Sequence, residues 1–337
     1  MTTPTPTPSP TPTPTPTPTF PYTPAAAARA TTGLTLPVGK CINMGNQLEA
    51  PVEGSFGRKI RQSDFPMIAA AGFRTVRIPI RFSSHAATSP PYAIDATFMK
   101  RVRQVVQWAS DARLNAIIDM HHYDEIHDDP AGQKDRFVAM WRQIAEEFFN
   151  APDSVWFELL NEPRGALTNA TLPAIYVPAL AAIRATNLAR AVIINGGGTS
   201  HIDSLSDLPM PNDPYVVPTF HYYEPFAFTH QGATYITPTP PFGVAFGSAA
   251  DYSLIDRDLQ RVRNYMQRTG RVPFVGEYGA IQDIPLDQRA LYYGTISHAF
   301  ASIGIQSCAW SFTNTFHLSN DNGWITAITN TIATTTD

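Results

Sequence analysis

Residues 155–163 read VWFELLNEP, a run that is apolar except for Glu158 and stops abruptly at a polar pair and a proline. The run is too short for a typical helix. Its mixture of aromatic and aliphatic side chains at successive positions is typical of a strand that is buried on both faces. Turn-forming residues bound it on the carboxyl side. The stretch therefore predicts a buried strand that delivers a carboxylate, Glu162, to the edge of a sheet.

Similar runs recur along the chain, and amphipathic helical segments separate most of them. The eight candidate strands are Gly39–Asn43, Arg74–Ile80, Asn115–Met120, Val155–Leu160, Ala191–Asn195, Tyr215–Phe220, Val272–Val275 and Ile305–Trp310. Buried strands that alternate with helices indicate a parallel sheet, and eight such units predict an α/β fold, a (β/α)8 TIM barrel. A doubly wound open sheet is the alternative. It is weakened because Gly45-Asn46-Gln47 follows the first strand in place of a phosphate-binding glycine fingerprint.

The amino-terminal tract has a different composition. Residues 2–24 alternate threonine and proline almost strictly and carry no charge, so they can neither form a helix nor bury a core. We interpret residues 1–24 as a disordered, extended Thr/Pro-rich linker and residues 25–337 as one barrel domain. Since such tracts commonly tether extracellular modules, we expect a secreted, extracellular protein whose signal peptide and upstream module precede the linker. A native disordered tail is the alternative.

Charge and hydropathy exclude two classes of partner. The chain has 24 lysine and arginine residues against 28 aspartate and glutamate residues, a net charge of −4 that disfavours nucleic-acid binding. No apolar run is long enough to cross a bilayer, so we expect no membrane partner.

Polar and aromatic residues collect where the candidate strands end, which is where barrels of this kind place their active sites. The strand ends read Arg77-Ile78-Pro79, Asp119-Met120-His121-His122-Tyr123, Asn161-Glu162-Pro163, His221-Tyr222-Tyr223, Gly276-Glu277-Tyr278-Gly279 and Trp310. Glu162 and Glu277 belong to the fourth and seventh strands, which face each other across a closed eight-stranded barrel. Two facing carboxylates are what glycoside hydrolysis requires.

The sequence around both glutamates resembles glycoside hydrolase family five, which includes many endo-β-1,4-glucanases. The resemblance rests on WFELLNEP at residues 156–163 and VGEYG at residues 275–279, with CINMGN at residues 41–46 fitting the first strand. Arg77, His121, His221-x-Tyr223 and Trp310 follow in the family's order, and the likeness covers the whole chain after the linker. It implies a catalytic domain that needs no cofactor and no metal and acts on a β-glucan polysaccharide or oligosaccharide.

The resemblance also implies a role for each matched residue. Glu162 would be the general acid and base, with its pKa raised by burial and by a neighbouring carboxylate, and Glu277 would be the nucleophile. Arg77 would hydrogen-bond Glu277, lower its pKa and keep it ionised. His221 would orient Glu162, and Tyr223 would donate to Glu277.

The remaining matched residues would bind the sugar. Asn161 would hydrogen-bond the 2-hydroxyl, a contact that strengthens in the transition state. His121 would bind a hydroxyl at the cleavage subsite, and Trp310 would stack beneath that sugar. Trp324 is equally compatible with a further sugar platform and with hydrophobic closure of the barrel. Glu158 points inward by period-two parity, and we expect it to be a structural partner of Arg77.

Other sequence features suggest different functions. The loop at residues 121–129 concentrates metal-ligand side chains, and metal-dependent hydrolases also use barrels. Against this, the first strand has no His-x-His pair and the fourth ends without a lysine. Gly196-Gly197-Gly198 suggests a phosphate site but lacks the lysine of a P-loop. A catalytically silent glycan-binding barrel is the alternative from another class, and the retained glutamates argue against it.

We therefore expect a secreted, retaining endo-β-1,4-glucanase that acts on cellulose-like or mixed-linkage glucan, with β-mannan and xyloglucan as alternative substrates. We expect a monomer, with an upstream module that would be carbohydrate-binding. Cys41 and Cys308 fall on neighbouring strands of a closed barrel, so a disulfide is conceivable, but we expect two buried thiols.

Overall fold

The computed structural model describes residues 19–24 and 33–333 and confirms the (β/α)8 TIM barrel. Eight parallel strands pair in chain order, and the first pairs with the last to close the ring. The barrel strands are β1 (Cys41–Asn43), β2 (Thr75–Ile80), β3 (Asn115–Met120), β4 (Val155–Glu158), β5 (Val192–Asn195), β6 (Val216–His221), β7 (Phe274–Tyr278) and β8 (Ser307–Ala309).

Helices follow most strands and pack outside the ring. They are α1 (Asp64–Ala70), α2 (Ala96–Asp111), α3 (Asp124–Asp128), α4 (Pro130–Glu147), α5 (Pro173–Arg184), α6 (Phe226–Thr229), α7 (Ala249–Thr269), α8 (Leu286–Ala301) and α9 (Thr326–Thr329). A short hairpin of β9 (Ser319–Asn320) and β10 (Gly323–Trp324) precedes α9. In the described part of the chain, no helix is long and apolar enough to cross a membrane.

The barrel interior is layered because alternate strand residues point inward. The lower layer is apolar and includes Cys41, Ile117, Trp156, Ile193, Val217 and Cys308. Two residues further along the same strands, the inward positions become polar, and they are Asn43, Asp119, Glu158, Asn195 and Thr219. The apolar layer thus supports a buried polar floor beneath the carboxyl ends of the strands.

The strand boundaries differ from the prediction mainly at β7. We predicted a strand over Val272–Val275, whereas the observed strand is Phe274–Tyr278. Pro273 has no N–H to donate to a neighbouring strand, which explains the later start. Glu277 therefore lies inside a barrel strand, where its backbone position is held on both sides.

Cys41 and Cys308 form a disulfide, so the expectation of two free thiols was wrong. They are directly paired residues of β1 and β8, and their Cα atoms lie 4.2 Å apart. Both are fully buried in the apolar layer. The bond therefore joins the first barrel strand to the last across the seam where the barrel closes.

The predicted linker falls largely outside the described residues, except at its carboxyl end. Phe20 and Tyr22 contact the outer face of the barrel, on helices α8 and α7 respectively. Contact with the barrel thus begins before residue 25, where we expected the folded part to start.

Candidate active site

A cleft of about 760 Å³ opens at the carboxyl ends of the barrel strands. Its lining is rich in histidine, acidic and aromatic residues and includes Asn46, Glu49, Phe56, His121, His122, Asn161, Glu162, Thr199, His201, His221, Tyr223, Glu224, Phe226, His230, Tyr235, Glu277, Trp310 and Phe316. Apart from Arg77, which lies beneath the floor, and Trp324, the residues that the sequence singled out for catalysis and sugar binding meet in this one cavity.

Glu162 and Glu277 approach each other at the floor of the cleft. One carboxylate oxygen of each lies within 4.8 Å of the other and of a nitrogen of His221. The Glu162 side chain is 30% exposed, whereas that of Glu277 is 6% exposed. Glu162 has φ = 46°, a left-handed conformation that is strained for a residue with a side chain and is tolerated at functional sites.

Arg77 lies fully buried beneath the cleft and connects the carboxylates of three strands. Its Nη1 donates to Glu277 Oε1 at 2.6 Å, and its Nε and Nη2 donate to the two oxygens of Glu158 at 2.7 and 2.9 Å. Its Nη2 also lies 3.0 Å from Asp119 Oδ2. Glu158 is fully buried and makes these contacts without lining the cleft, in agreement with the structural position that parity predicted.

The two cleft glutamates differ in their hydrogen-bond partners. Glu277 accepts from Arg77 and, at 2.9 Å, from the Tyr223 hydroxyl. Within residues 19–24 and 33–333, the side chain of Glu162 has His221 as its hydrogen-bond partner, whose Nδ1 lies 2.9 Å from Glu162 Oε1 and 3.6 Å from Glu277 Oε2. The structure thus places His221 and Tyr223 against the glutamates that we paired them with.

Burial dominates the electrostatics of the pair. It raises the pKa of Glu162 to about 7, and the charges of Arg77 and Arg164 oppose this rise only in part. We expected Arg77 to lower the pKa of Glu277, but burial outweighs the opposing effects of His221 and Arg77, and the pKa of Glu277 is raised. Burial also lowers the pKa of His221 to about 4, so this ring is neutral at pH 7.

A buried chain of polar groups positions His121 and Asn161. Asp119 Oδ2 lies 2.6 Å from His121 Nδ1, which indicates that this nitrogen carries the proton. His121 Nε2 then accepts from Asn161 Nδ2 at 3.2 Å, while Asn161 Oδ1 accepts from Arg77 at 2.9 Å. Sequence reasoning missed Asp119 as part of this chain, although the parity that placed Glu158 inward applies equally to it.

The two tryptophans lie in different surroundings. Trp310 lines the cleft, parallel to the His121 ring, with ring centroids 5.9 Å apart. A Cβ on Gly45 would lie 2.7 Å from the Trp310 ring, so glycine is needed there. Trp324 instead stacks on Phe73 and packs edge-on against Phe312. Trp324 therefore belongs to the hydrophobic packing around the barrel, and not to the cleft.

Glu49 is a cleft residue that sequence reasoning did not assign. It accepts hydrogen bonds from the backbone N–H groups of Asn46 and Gln47, and burial raises its pKa to about 7. At the edge of the cleft, His201 Nε2 lies 3.3 Å from Glu224 Oε1. Loop residues of this kind carry no periodic signal, which is why the strand pattern did not point to them.

Two weaker sequence features have structural explanations. In the loop at residues 121–129, Asp124 forms ion pairs with Arg81 and Arg164, at 2.8 and 2.9 Å. Among the described residues, the group that could hold a metal ion is instead Glu162, His221 and Glu277. Gly197 packs against the backbone of residues 167–169, where a side chain would not fit.

Comparisons with known proteins agree with this geometry. A family model described as cellulase (glycosyl hydrolase family 5) matches residues 42–316. The chain is 35% identical over 273 residues to endoglucanase H of Acetivibrio thermocellus, covering 81% of this chain and 29% of that protein. It is 31% identical over 276 residues to endoglucanase B of Clostridium cellulovorans, covering 74% and 62% respectively. The chain thus spans less than two thirds of the length of either relative.

Solved structures resemble the whole barrel. A hyperthermophilic endo-β-1,4-glucanase in complex with substrate superposes with a TM-score of 0.86 at 36% identity, covering 87% of this chain and 96% of that one. Cel5A of Thermotoga maritima, in complex with a mannotriose substrate, superposes with a TM-score of 0.86 at 33% identity, covering 88% and 97%.

Proposed function

Because this chain belongs to glycoside hydrolase family 5, we propose that it is a retaining endo-β-1,4-glucanase that cleaves cellulose-like or mixed-linkage β-glucan. The observation that carries the proposal is the close approach of the two cleft carboxylates, since one oxygen of Glu162 lies within 4.8 Å of one oxygen of Glu277. Carboxyl groups about 5 to 5.5 Å apart leave no room for a water beneath the sugar, so one of them attacks directly. An inverting pair would be about 6.5 to 9.5 Å apart.

Glu277 is the nucleophile in this proposal. It is held inside β7 by Arg77 and Tyr223, and those donors favour its ionised form over that of Glu162. Its attack on the anomeric carbon forms a glycosyl-enzyme bond and breaks the bond to the leaving sugar. A second displacement by water restores the starting configuration.

Glu162 is the general acid in the first displacement and the general base in the second. A pKa of about 7 lets it hold a proton at neutral pH and release it readily. Neutral His221 contacts Glu162 on the side that faces Glu277, and so fixes the direction of its carboxyl group. Asn161 lies one residue earlier and presents its amide to the sugar 2-hydroxyl.

The substrate is inferred from the shape and lining of the cleft. It is open at the barrel mouth and lined by Trp310 near the glutamates, with Phe56 and Tyr235 also on its walls. Aromatic faces match the apolar faces of pyranose rings. β-Mannan is the second candidate, because the Thermotoga maritima relative was solved with mannotriose.

We further propose that the protein is secreted. Disulfides persist in oxidising compartments, and the buried Cys41–Cys308 bond joins strands at opposite ends of the chain. The Thr/Pro-rich tract supports the same location and an upstream carbohydrate-binding module.

Two substitutions test the assignment. Glu277→Gln abolishes turnover on every substrate, because no glycosyl-enzyme forms. Glu162→Gln still releases dinitrophenol in a burst from a dinitrophenyl glycoside, because this leaving group needs no proton, and added azide restores turnover. NMR of the first product reports the anomeric configuration. An inverted product, or azide rescue of the Glu277 variant in place of the Glu162 variant, would show that the roles are wrong.

Substrate class and metal dependence are tested separately. Initial rates on β-1,4-glucan, mixed-linkage glucan, xyloglucan and β-mannan rank the substrates, and we expect the two glucans to lead. We also expect exhaustive treatment with a chelator to leave the rate unchanged. Loss of activity that zinc restores would instead assign the group of Glu162, His221 and Glu277 to a metal.

A further inference from the structure

Two aromatic residues at the end of the Thr/Pro-rich tract bind the outer face of the barrel. The Phe20 ring stacks on the ring of His298 in α8, with centroids 4.6 Å apart. Tyr22 donates its hydroxyl hydrogen to Asp256 Oδ1 in α7, at 2.9 Å. Both aromatic side chains are half-buried. Residues 20–22 therefore contact two neighbouring helices at once.

The surface beneath Phe20 is shaped to receive it. Gly294 lies in the interior of α8, where glycine costs about 1 kcal/mol relative to alanine. A Cβ at this position would collide with Cζ of the Phe20 ring. The glycine thus leaves a socket in the helix surface, and the three atoms nearest to its missing Cβ all belong to the Phe20 ring.

We propose that Phe20-Pro21-Tyr22 is a docking segment that fastens the linker to the α7–α8 face of the barrel, with Gly294 as its socket. The two rings differ from the rest of the tract, which alternates threonine and proline. The occupant of this surface is thus a segment of the chain itself. Any module upstream of the linker is tethered from this face.

The docked Phe20 ring also packs against α8, the helix whose inner side contacts residues of the cleft. The inner side of α8 carries Tyr293, whose hydroxyl donates to the backbone carbonyl of Trp310 at 2.6 Å. The neighbouring Tyr292 hydroxyl donates to the carbonyl of Tyr222 at 3.4 Å. Loss of the docking segment should therefore lower thermal stability while leaving the catalytic groups in place.

A double-mutant cycle in the full chain tests the socket. Gly294→Ala should lower the melting temperature when Phe20 is present, because the new methyl group collides with the ring. In a Phe20→Ala background, the same substitution should raise it or leave it unchanged, because alanine favours the helix. Phe20→Ala alone should lower it by about 2–4 °C. The matched control is Phe149→Ala. Phe149 is 55% exposed, and its replacement should change the melting temperature by less than about 1 °C.

Limited proteolysis with chymotrypsin measures docking directly. Pro21 blocks cleavage after Phe20, so the segment is cut after Tyr22, and mass spectrometry follows the release of residues 1–22. We expect release to be at least about fivefold faster in Phe20→Ala and in Gly294→Ala than in the native chain, with the initial catalytic rate unchanged. Equal release from all three proteins, or a Gly294→Ala effect of the same size in both backgrounds, would overturn the proposal.

Discussion

Replacement of Arg77 by lysine would keep the buried positive charge but remove the planar group that connects the acidic residues. The guanidinium donates five hydrogen bonds: two to Glu158, at 2.7 and 2.9 Å, and one each to Glu277, Asn43 and Asn161, at 2.6, 3.0 and 2.9 Å. A lysine has three N–H donors on a single nitrogen atom, so at least two of these bonds must be lost.

The cost follows from the number of lost bonds and from the burial of the site. Each buried hydrogen bond to a charged group contributes about 1.5–3 kcal/mol, so two lost bonds cost about 3 kcal/mol or more. For a domain of this size that corresponds to a fall in melting temperature of about 6 °C. Loosening of Glu277 should lower kcat/KM by about 10- to 100-fold, since each 1.4 kcal/mol of transition-state stabilisation is worth about tenfold.

Thermal unfolding and steady-state rates on soluble β-glucan measure both effects. The matched control is Glu158→Gln, which disturbs the same guanidinium at a residue that does not line the cleft. We expect it to lower the melting temperature with kcat/KM reduced less than fivefold. An Arg77→Lys protein that melts and turns over like the native one would refute the reasoning. So would a Glu158→Gln protein that loses activity without losing stability.

Further predictions concern the pH dependence of the rate, the disulfide that joins the first and last barrel strands, and the two tryptophans. The plot of kcat/KM against pH should be bell-shaped with its basic limb near pH 7, because Glu162 in its proposed role as acid must be protonated and its pKa is about 7; a flat profile to pH 9 would contradict this. The double variant Cys41→Ala/Cys308→Ala should lose about 3–5 kcal/mol of stability, because the bond spans 267 residues, whereas reductant added to the folded protein well below its melting temperature should leave the buried bond intact. Trp310→Ala should lower kcat/KM with little change in melting temperature, and Trp324→Ala should do the reverse; equal effects on activity would contradict the different environments of the two rings.

The barrel could be predicted because its strands are buried on both faces and so carry an unbroken apolar signal. The third strand was predicted at its observed bounds, Asn115–Met120. The predicted strand ends differ from the observed ones where a local backbone feature shifts the strand. Pro273 cannot donate to a neighbouring strand, so β7 begins after it. The convergence of the site residues followed from the fold, because the carboxyl ends of parallel strands meet at one mouth.

The parts that were not predicted depend on which residues become neighbours in space. The sequence analysis placed Cys41 and Cys308 on neighbouring strands, but the disulfide also requires the two residues to pair in register across the barrel seam, and spacing along the chain does not give that register. Similarly, the direction in which the pKa of Glu277 shifts depends on whether burial, which raises it, outweighs the neighbouring groups that lower it. The docking segment did leave a sequence signal, since Phe20 and Tyr22 interrupt a repeat that is otherwise almost entirely threonine and proline.

The backbone positions of the two glutamates account for their different proposed roles. Glu277 lies within β7, in the ring of strands above the buried Arg77, so the guanidinium of Arg77 reaches it from below and its side chain is only 6% exposed. Glu162 lies beyond the end of β4 in a left-handed conformation, where its side chain is 30% exposed and, in the described part of the chain, receives no hydrogen bond from an arginine. A group that must shuttle protons needs contact with solvent and a pKa near neutrality, whereas a nucleophile needs a fixed direction and donors that favour its charge. The two glutamates thus differ in exposure and in hydrogen-bond donors because one lies inside its strand and the other beyond the end of its strand. Exchanging their proposed roles would require moving the backbone.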